Sequence, residues 1–87
     1  MNIYEKIQHE SRVAKAIYGP FNSTHEMYGV LIEEVNEVFD LVRQNSANMT
    51  EDQKIERIDK MVKELIQVAS VATRAANELI TNQIKHQ

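Results

Sequence analysis

Acidic and amide side chains at two places in this sequence are the residues best suited to chemistry. The first place is the segment EEVNE at positions 33–37, and the second is Glu64 with Gln67 three residues later. Residues three apart on an α-helix face the same way, so Glu34 and Glu37 can act together, as can Glu64 and Gln67. Oxygen ligands of this kind suit Mg²⁺ or Mn²⁺, whereas zinc prefers nitrogen and sulfur.

Glu34 and Glu37 also occupy an unexpected position on their helix. The segment 23–44 predicts one amphipathic helix, and a rotation of about 100° per residue places both carboxylates inside its apolar stripe. A buried carboxylate is costly unless a cation or hydrogen bonds compensate it. Spacing alone leaves three interpretations open: a shared metal ion, ion pairs with Lys or Arg from another helix, or a solvated face. The stripe consists of Met27, Val30, Leu31, Val38, Leu41 and Val42.

Three helices are predicted to position these side chains. With 2 Gly and 1 Pro in 87 residues, the chain favours long helices over short strands. The first is expected over about 2–17, before a Gly-Pro pair, and the second over 23–44. Because the third segment contains neither Gly nor Pro, we expect one continuous helix over about 51–83, with a bend or break near Asp59 as the main alternative. The whole chain, residues 1–87, is predicted to form one all-α domain.

Capping patterns support the starts of the last two helices. Ser23 is followed three residues later by Glu26, and Thr50 is followed three residues later by Gln53. In this pattern the first side chain accepts a hydrogen bond from the backbone of the later residue, and the later side chain bonds back. Both pairs therefore predict capping boxes.

The third helix is apolar over more of its circumference than two neighbouring helices of so short a chain can cover. A helix of this kind needs partners on more than one side. We therefore predict an antiparallel helical bundle completed by homo-oligomerisation, as a dimer or tetramer, with a monomeric three-helix bundle as the alternative. The residues concerned are Leu65, Ile66, Val68, Ala69, Val71, Ala72, Ala75, Ala76, Leu79 and Ile80.

Composition excludes several classes of protein. The 10 basic and 13 acidic residues give a net charge of −3, which argues against a nucleic-acid-binding surface. With 0 Cys, there is neither a disulfide framework nor a thiolate metal site. The N-terminal residues resemble no signal peptide, and no apolar run reaches the length of a membrane span. We expect a cytoplasmic protein with no membrane partner.

Two stretches of the sequence resemble a known family. EEVNE is followed after 26 residues by ELIQVASVATRA. This arrangement is similar to the Glu-Glu-x-x-Glu and Glu-x-x-Asp motifs of the MazG-like all-α nucleoside triphosphate pyrophosphohydrolases. FNSTHEMYGVLIEEVNEVFDLV and KELIQVASVATRAA are especially similar to the small phage and bacterial members. The resemblance covers residues 21–80.

The resemblance implies a metal site and a reaction. It assigns Mg²⁺, with Mn²⁺ as a substitute, to Glu34, Glu37, Glu64 and Gln67, and gives Glu33 a supporting catalytic role beside the three other glutamates. The implied reaction is attack of a metal-activated water on a nucleoside triphosphate, releasing the monophosphate and pyrophosphate. The family has Asp where this chain has Gln67, which leaves open one ion rather than two, weaker affinity, or lost catalysis.

Several other residues are candidates for contact with a substrate, and two alternative functions remain open. Lys63 and Arg74 are candidate phosphate-binding cations, with a surface charge as the alternative for each. Asn22 and His25 are candidates for contact with the nucleotide, although a His in a first helical turn is more often simply exposed. Three aromatic residues near the second helix can stack on a base or pack in the core. The alternative functions are a non-catalytic helical interaction module and a nucleotide or metal sensor. The aromatic residues are Tyr18, Phe21 and Tyr28.

Overall fold

Three α-helices make up the fold of this chain, for which a computed structural model describes residues 1–84. Helix α1 spans Ile3–Tyr18, α2 spans Thr24–Val42 and α3 spans Glu51–Ile80. Residues 1–84 contain no β-strand, so the prediction of an all-α fold is confirmed. None of the helices in this part of the chain combines the length and hydropathy that a membrane crossing requires.

Helix α3 is the central element. Both α1 and α2 pack on it, and within residues 1–84 they do not pack on each other. Arg57 near the start of α3 bonds the carbonyl of Leu41 near the end of α2, at 3.0 Å, whereas Glu78 near the end of α3 bonds the backbone of Phe21. Helices α2 and α3 are therefore antiparallel. The space between α1 and α2 is an open groove with α3 as its floor.

The start of α3 follows the predicted capping box. The Thr50 side chain accepts a hydrogen bond from the backbone of Gln53, and the Gln53 side chain accepts one from the backbone of Thr50, at 3.1 and 2.9 Å. The helix then continues through Asp59 without the alternative break. Its length allows it to support both other helices.

The start of α2 differs from the expected capping box. Ser23 caps the helix by accepting from the backbone of Glu26 at 3.0 Å. The Glu26 carboxylate does not return to Ser23 but accepts from the side chain of Asn22 at 2.8 Å. The predicted hydrogen bond from the Ser23 backbone to the Glu26 side chain is thus replaced by one from Asn22.

The end of α3 is earlier than the sequence predicted. The helix ends at Ile80 rather than near 83, because Asn82 adopts a left-handed backbone conformation with φ of 59°. The backbone N–H of Gln83 then donates a hydrogen bond to the carbonyl of Glu78 at 2.7 Å. A bond between these positions is characteristic of a Schellman motif. This turn brings Ile84 back into the core, where its side chain is fully buried.

The hydrophobic core of a single chain is small and lies at one end of the groove. Phe21 and Ile84 are buried with Val71 and Ala75 of α3. Of the predicted α2 stripe, three members pack against this core, whereas Val42 is exposed. Much apolar surface therefore remains in contact with solvent. The three packed members are Met27, Val30 and Leu31.

Candidate metal centre

Three carboxylates meet where α2 passes over the middle of α3. Glu34 and Glu37 lie one turn apart on α2, and Glu64 reaches them from α3. One oxygen of each carboxylate lies within 4.8 Å of the others. Glu34 and Glu64 are half-buried, and Glu37 is exposed. The antiparallel packing of the two helices therefore brings three of the predicted ligands into reach of one ion.

No cation compensates this cluster within residues 1–84. None of the ion pairs in that part of the chain includes any of the three glutamates. The nearby lysines have other partners: Lys63 pairs with Asp59 at 3.1 Å, and Lys60 with Glu56 at 3.8 Å. Atom Oε2 of Glu64 is buried without a hydrogen-bond partner. Among the described residues, the three glutamates therefore form no ion pair, contrary to that interpretation of the cluster.

The electrostatics of the cluster disfavour three simultaneous negative charges. A carboxyl–carboxyl hydrogen bond with Glu37, burial and the charges of both other glutamates raise the pKa of Glu64 to about 7. Burial, followed by the charge of Glu37, raises the pKa of Glu34. Neighbouring carboxylates raise one another's pKa because like charges at short distance oppose ionisation. A divalent cation between them would remove that opposition.

The donor set fits Mg²⁺ or Mn²⁺. All three groups offer hard carboxylate oxygen, and the orphaned Oε2 of Glu64 is the kind of buried atom that a cation would satisfy. The exposed position of Glu37 leaves one side of the cluster open to water or a ligand. Mg²⁺ sites in enzymes of phosphate chemistry characteristically combine a few carboxylates with waters and substrate oxygens.

Gln67, the predicted fourth ligand, has a partner that the sequence did not reveal. Its side-chain nitrogen donates to the Glu10 carboxylate of α1 at 3.3 Å. This contact explains why an acidic residue is tolerated on the packed side of α1. It also turns the amide nitrogen toward α1 and leaves the carbonyl oxygen as the atom of Gln67 able to act as a ligand.

A cavity of about 480 Å³ occupies the groove beside the cluster. Its floor is α3, through Gln67, Val71 and Arg74, and Glu33 and Glu34 line it from α2. Glu33 is exposed there, in a position to contact a molecule bound in the groove. Four predicted site residues thus share one cavity, and Glu34 belongs to both the cavity and the carboxylate cluster.

Arg74 borders the same cavity but is held by the fold. Its Nε donates to Glu78 at 3.0 Å, its Nη2 donates to the carbonyl of Gly19 at 2.8 Å, and its guanidinium lies 3.9 Å from the centre of the Phe21 ring. Glu78 in turn accepts from the backbone of Phe21 at 2.7 Å. This Arg74–Glu78 clamp fixes the loop between α1 and α2 on α3. A phosphate-binding role for Arg74 remains a prediction.

The other three predicted substrate contacts do not line the groove cavity. Lys63 is exposed and lines a different cavity of about 540 Å³ near the start of α1, together with Lys6. His25 lines a shallow depression with Tyr28, and Asn22 bonds Glu26. Among the four candidates only Arg74 lines the groove cavity. The roles of Lys63, His25 and Asn22 remain predictions.

The aromatic residues divide between core and surface. Phe21 is buried under Arg74, which matches the core-packing alternative. Tyr18 is largely exposed at the edge of the groove cavity, whereas Tyr28 is exposed outside it. Tyr18 is therefore the aromatic side chain placed to stack on a ring bound in the groove.

Comparison of the chain with protein-family models, with curated proteins and with solved structures finds no match.

Proposed function

We propose that this protein hydrolyses nucleoside triphosphates to nucleoside monophosphates and pyrophosphate with Mg²⁺, as the MazG-like enzymes do. One observation carries the proposal: Glu34, Glu37 and Glu64 converge within 4.8 Å with no cationic partner among the described residues. The orphaned Oε2 of Glu64 supports it, as does the adjoining cavity. The similarity of the two motifs to that family supplies the reaction class.

In this proposal the glutamates and Gln67 have separate roles in metal binding and catalysis. Glu34, Glu37 and Glu64 would hold the ion, which would supply neutralisation of phosphate charge and a lower pKa of bound water. Glu33, exposed in the cavity wall, accepts the proton of the attacking water. A bond forms between the water oxygen and phosphorus, the bond joining the α- and β-phosphates breaks, and pyrophosphate leaves. Gln67 orients the group that approaches the floor of the groove.

The groove has the size and lining for the nucleoside. Its volume of about 480 Å³ falls within the range of roughly 300–1,000 Å³ for small-molecule sites. Val30 and Val71 supply apolar wall, and Tyr18 supplies a ring at the edge. In the proposed complex the base and sugar occupy the groove, while the phosphates reach toward Glu34.

We further propose that the protein acts in the cytoplasm as a homo-oligomer. Only four hydrophobic side chains are buried among residues 1–84, and many large ones are exposed. A core of this size gives little stability to a lone chain of 87 residues. Light scattering after size-exclusion chromatography is expected to give a multiple of the 10.1 kDa chain mass. A mass near 10.1 kDa at micromolar concentration would contradict this part of the proposal.

The activity is tested by measuring pyrophosphate release from a panel of NTPs and dNTPs with Mg²⁺ or Mn²⁺. Wild type is expected to release pyrophosphate only with metal, and Glu64→Gln is expected to reduce the release to background. Glu51→Gln, a nearly isosteric change at an exposed position of the same helix, serves as the matched control and should retain activity. Equal rates in wild type and Glu64→Gln would reject the assignment.

One observation favours binding without turnover as the second candidate. Gln67 supplies no charge, and its amide is already engaged by Glu10. A sensor of this kind would bind Mn²⁺ and nucleotide but release no pyrophosphate from any member of the panel. Nucleotide binding measured by calorimetry in the same samples separates the two functions.

A further inference from the structure

One face of α3 carries a regular row of apolar residues that residues 1–84 leave uncovered. Ile55, Ile58, Val62 and Leu65 are 64%, 59%, 42% and 52% exposed, although each is a large aliphatic residue. The row continues through Ala69, Ala72 and Ala76, of which the last two are exposed. We call this row the α3 seam; its seven members are Ile55, Ile58, Val62, Leu65, Ala69, Ala72 and Ala76.

The spacing of the α3 seam is that of a coiled coil. Successive members alternate between steps of three and four residues, which is the heptad pattern that keeps a straight apolar row facing a partner helix. None of the seven positions carries a charge. A helix of this pattern packs on another helix by inserting side chains between those of the partner.

The α3 seam lies on the side of α3 that is turned away from the groove. At about 100° per residue, Leu65 points roughly opposite to Gln67, which lines the groove. On α2 the exposed residues Val35 and Phe39 likewise lie on the side turned away from Glu33. The two helices therefore share one apolar face, behind the groove.

We propose that a second copy of this chain covers this face, with its α3 packed antiparallel on the α3 seam. The members of the seam differ systematically in size: the first four are large and the last three are alanine. An antiparallel partner places Leu65 against the partner's Ala69 and Val62 against the partner's Ala72. The same register places Ile58 against the partner's Ala76.

This pairing is favoured over a parallel one by side-chain volume. In the antiparallel arrangement each layer joins one large and one small residue, so the helix axes remain evenly spaced along the contact. A parallel arrangement would join large with large at one end and alanine with alanine at the other, and the helices would diverge. Even packing without voids is a general condition for a stable helix interface.

The size of the face fits self-association. From Ile55 to Ala76 the seam is about 32 Å long, and a helix is about 10 Å wide, which gives a footprint of roughly 300 Å². The exposed side of α2, from Tyr28 to Val42, adds roughly 200 Å² by the same reckoning. Protruding side chains present more accessible area than a flat footprint, so the face approaches the roughly 600 Å² per partner of the smaller specific interfaces.

The chain has 0 Cys, which makes disulfide mapping a clean test. The proposed register brings Val62 of one copy beside the partner's Ala72. Mixing Val62→Cys protein with Ala72→Cys protein under oxidising conditions should therefore give cross-linked dimers, whereas either variant alone should give few. Within one antiparallel dimer the two copies of position 62 are about 15 Å apart along the axis, and a disulfide needs Cα atoms closer than about 7 Å.

The disulfide mapping can contradict the proposed antiparallel pairing in three ways. Cross-linking of Val62→Cys alone, as readily as in the mixture, would show a parallel pair and overturn the register. If wild type is oligomeric but the mixture of the two variants forms no cross-link, the α3 seam is overturned, while homo-oligomerisation and the proposed activity remain intact. A monomeric wild type would overturn both self-association proposals. Metal-dependent hydrolysis is tested separately, by pyrophosphate release.

A charge placed in the seam supplies a second measurement without cysteine. Leu65→Glu is expected to convert the dimer to the 10.1 kDa monomer by light scattering, because the partner would have to bury an unpaired carboxylate. Tyr4→Glu is the control, since Tyr4 is a large and even more exposed residue on α1. Retention of dimer mass by Leu65→Glu would count against the seam.

Discussion

The side-chain amide of Gln67 donates a hydrogen bond to the carboxylate of Glu10, 3.3 Å away on another helix. Through this contact α1 takes part in shaping the floor of the groove beside Glu34. The neutral Gln67 is suited to its place, because an acidic residue there would face both Glu10 and the carboxylate cluster.

This pairing predicts the behaviour of a charge exchange. Gln67→Glu places two carboxylates together and is expected to lower the free energy of unfolding at pH 8. The double variant Glu10→Gln/Gln67→Glu should recover stability, because the amide and the carboxylate merely exchange helices. Contacting pairs show coupling free energies of about 0.5–3 kcal/mol in such cycles. Urea denaturation of the four proteins measures the coupling, and additive effects of the two changes would contradict the contact.

The raised pKa of Glu64 predicts how stability depends on pH without metal. Because the folded-state pKa is about 7 and the ordinary value is 4.5, the protonated form is favoured by folding. This contribution is fully present below about pH 4.5 and is lost as the pH rises through about 7. The melting temperature of metal-free protein should therefore fall between pH 5 and pH 8.

Glu64→Gln separates this effect from other titrations. The variant cannot ionise at position 64, so its melting temperature should change less than that of wild type over the same pH range. Added Mn²⁺ should restore the stability of wild type at pH 8, because metal binds the deprotonated carboxylates. A variant as sensitive to pH as wild type would show that Glu64 is not the group responsible.

The buried Arg74–Glu78 clamp predicts a large loss of stability. The two side chains are 7% and 1% exposed. Removing Arg74, as in Arg74→Leu, leaves the Glu78 charge buried without its partner, a change that typically costs about 3–5 kcal/mol. In so small a domain this loss should unfold most of the protein, as circular dichroism would detect.

An exposed pair of the same type provides the control for the clamp. Arg43 pairs with Asp40 at 2.8 Å and lies 5.6 Å from the centre of the Phe39 ring, but both charged side chains are exposed. Arg43→Leu should therefore cost less than about 1 kcal/mol. Similar losses in the two variants would mean that burial does not strengthen the Arg74 contacts.

The sequence predicted those features that depend on residues close together along the chain. The helices and the cap at Thr50 follow from local patterns, and the cluster follows from the spacing of Glu34 and Glu37 once α2 and α3 are antiparallel. The contact between Glu10 and Gln67 joins residues 57 positions apart. It depends on how α1 rests on α3, which periodicity does not determine.

The end of α3 and the Arg74–Glu78 clamp could not be predicted from the sequence either. Asn82 ends the helix by taking a left-handed conformation, and the sequence carries no Gly there to indicate it. Arg74 and Glu78 have the four-residue spacing of an ion pair, but that spacing is equally common on exposed helix faces. Their burial depends on the loop at Gly19, which lies 55 positions earlier.

We propose above all that Glu34, Glu37 and Glu64 together bind a divalent cation. It is tested most directly by titrating metal-free protein with Mn²⁺ at pH 8 and measuring free Mn²⁺ by electron paramagnetic resonance. Wild type and Glu51→Gln should bind with the same affinity, and Glu64→Gln should bind at least about tenfold more weakly, the smallest loss usual even for outer partners of a metal site. Equal Mn²⁺ affinity in all three proteins would contradict metal binding by these glutamates.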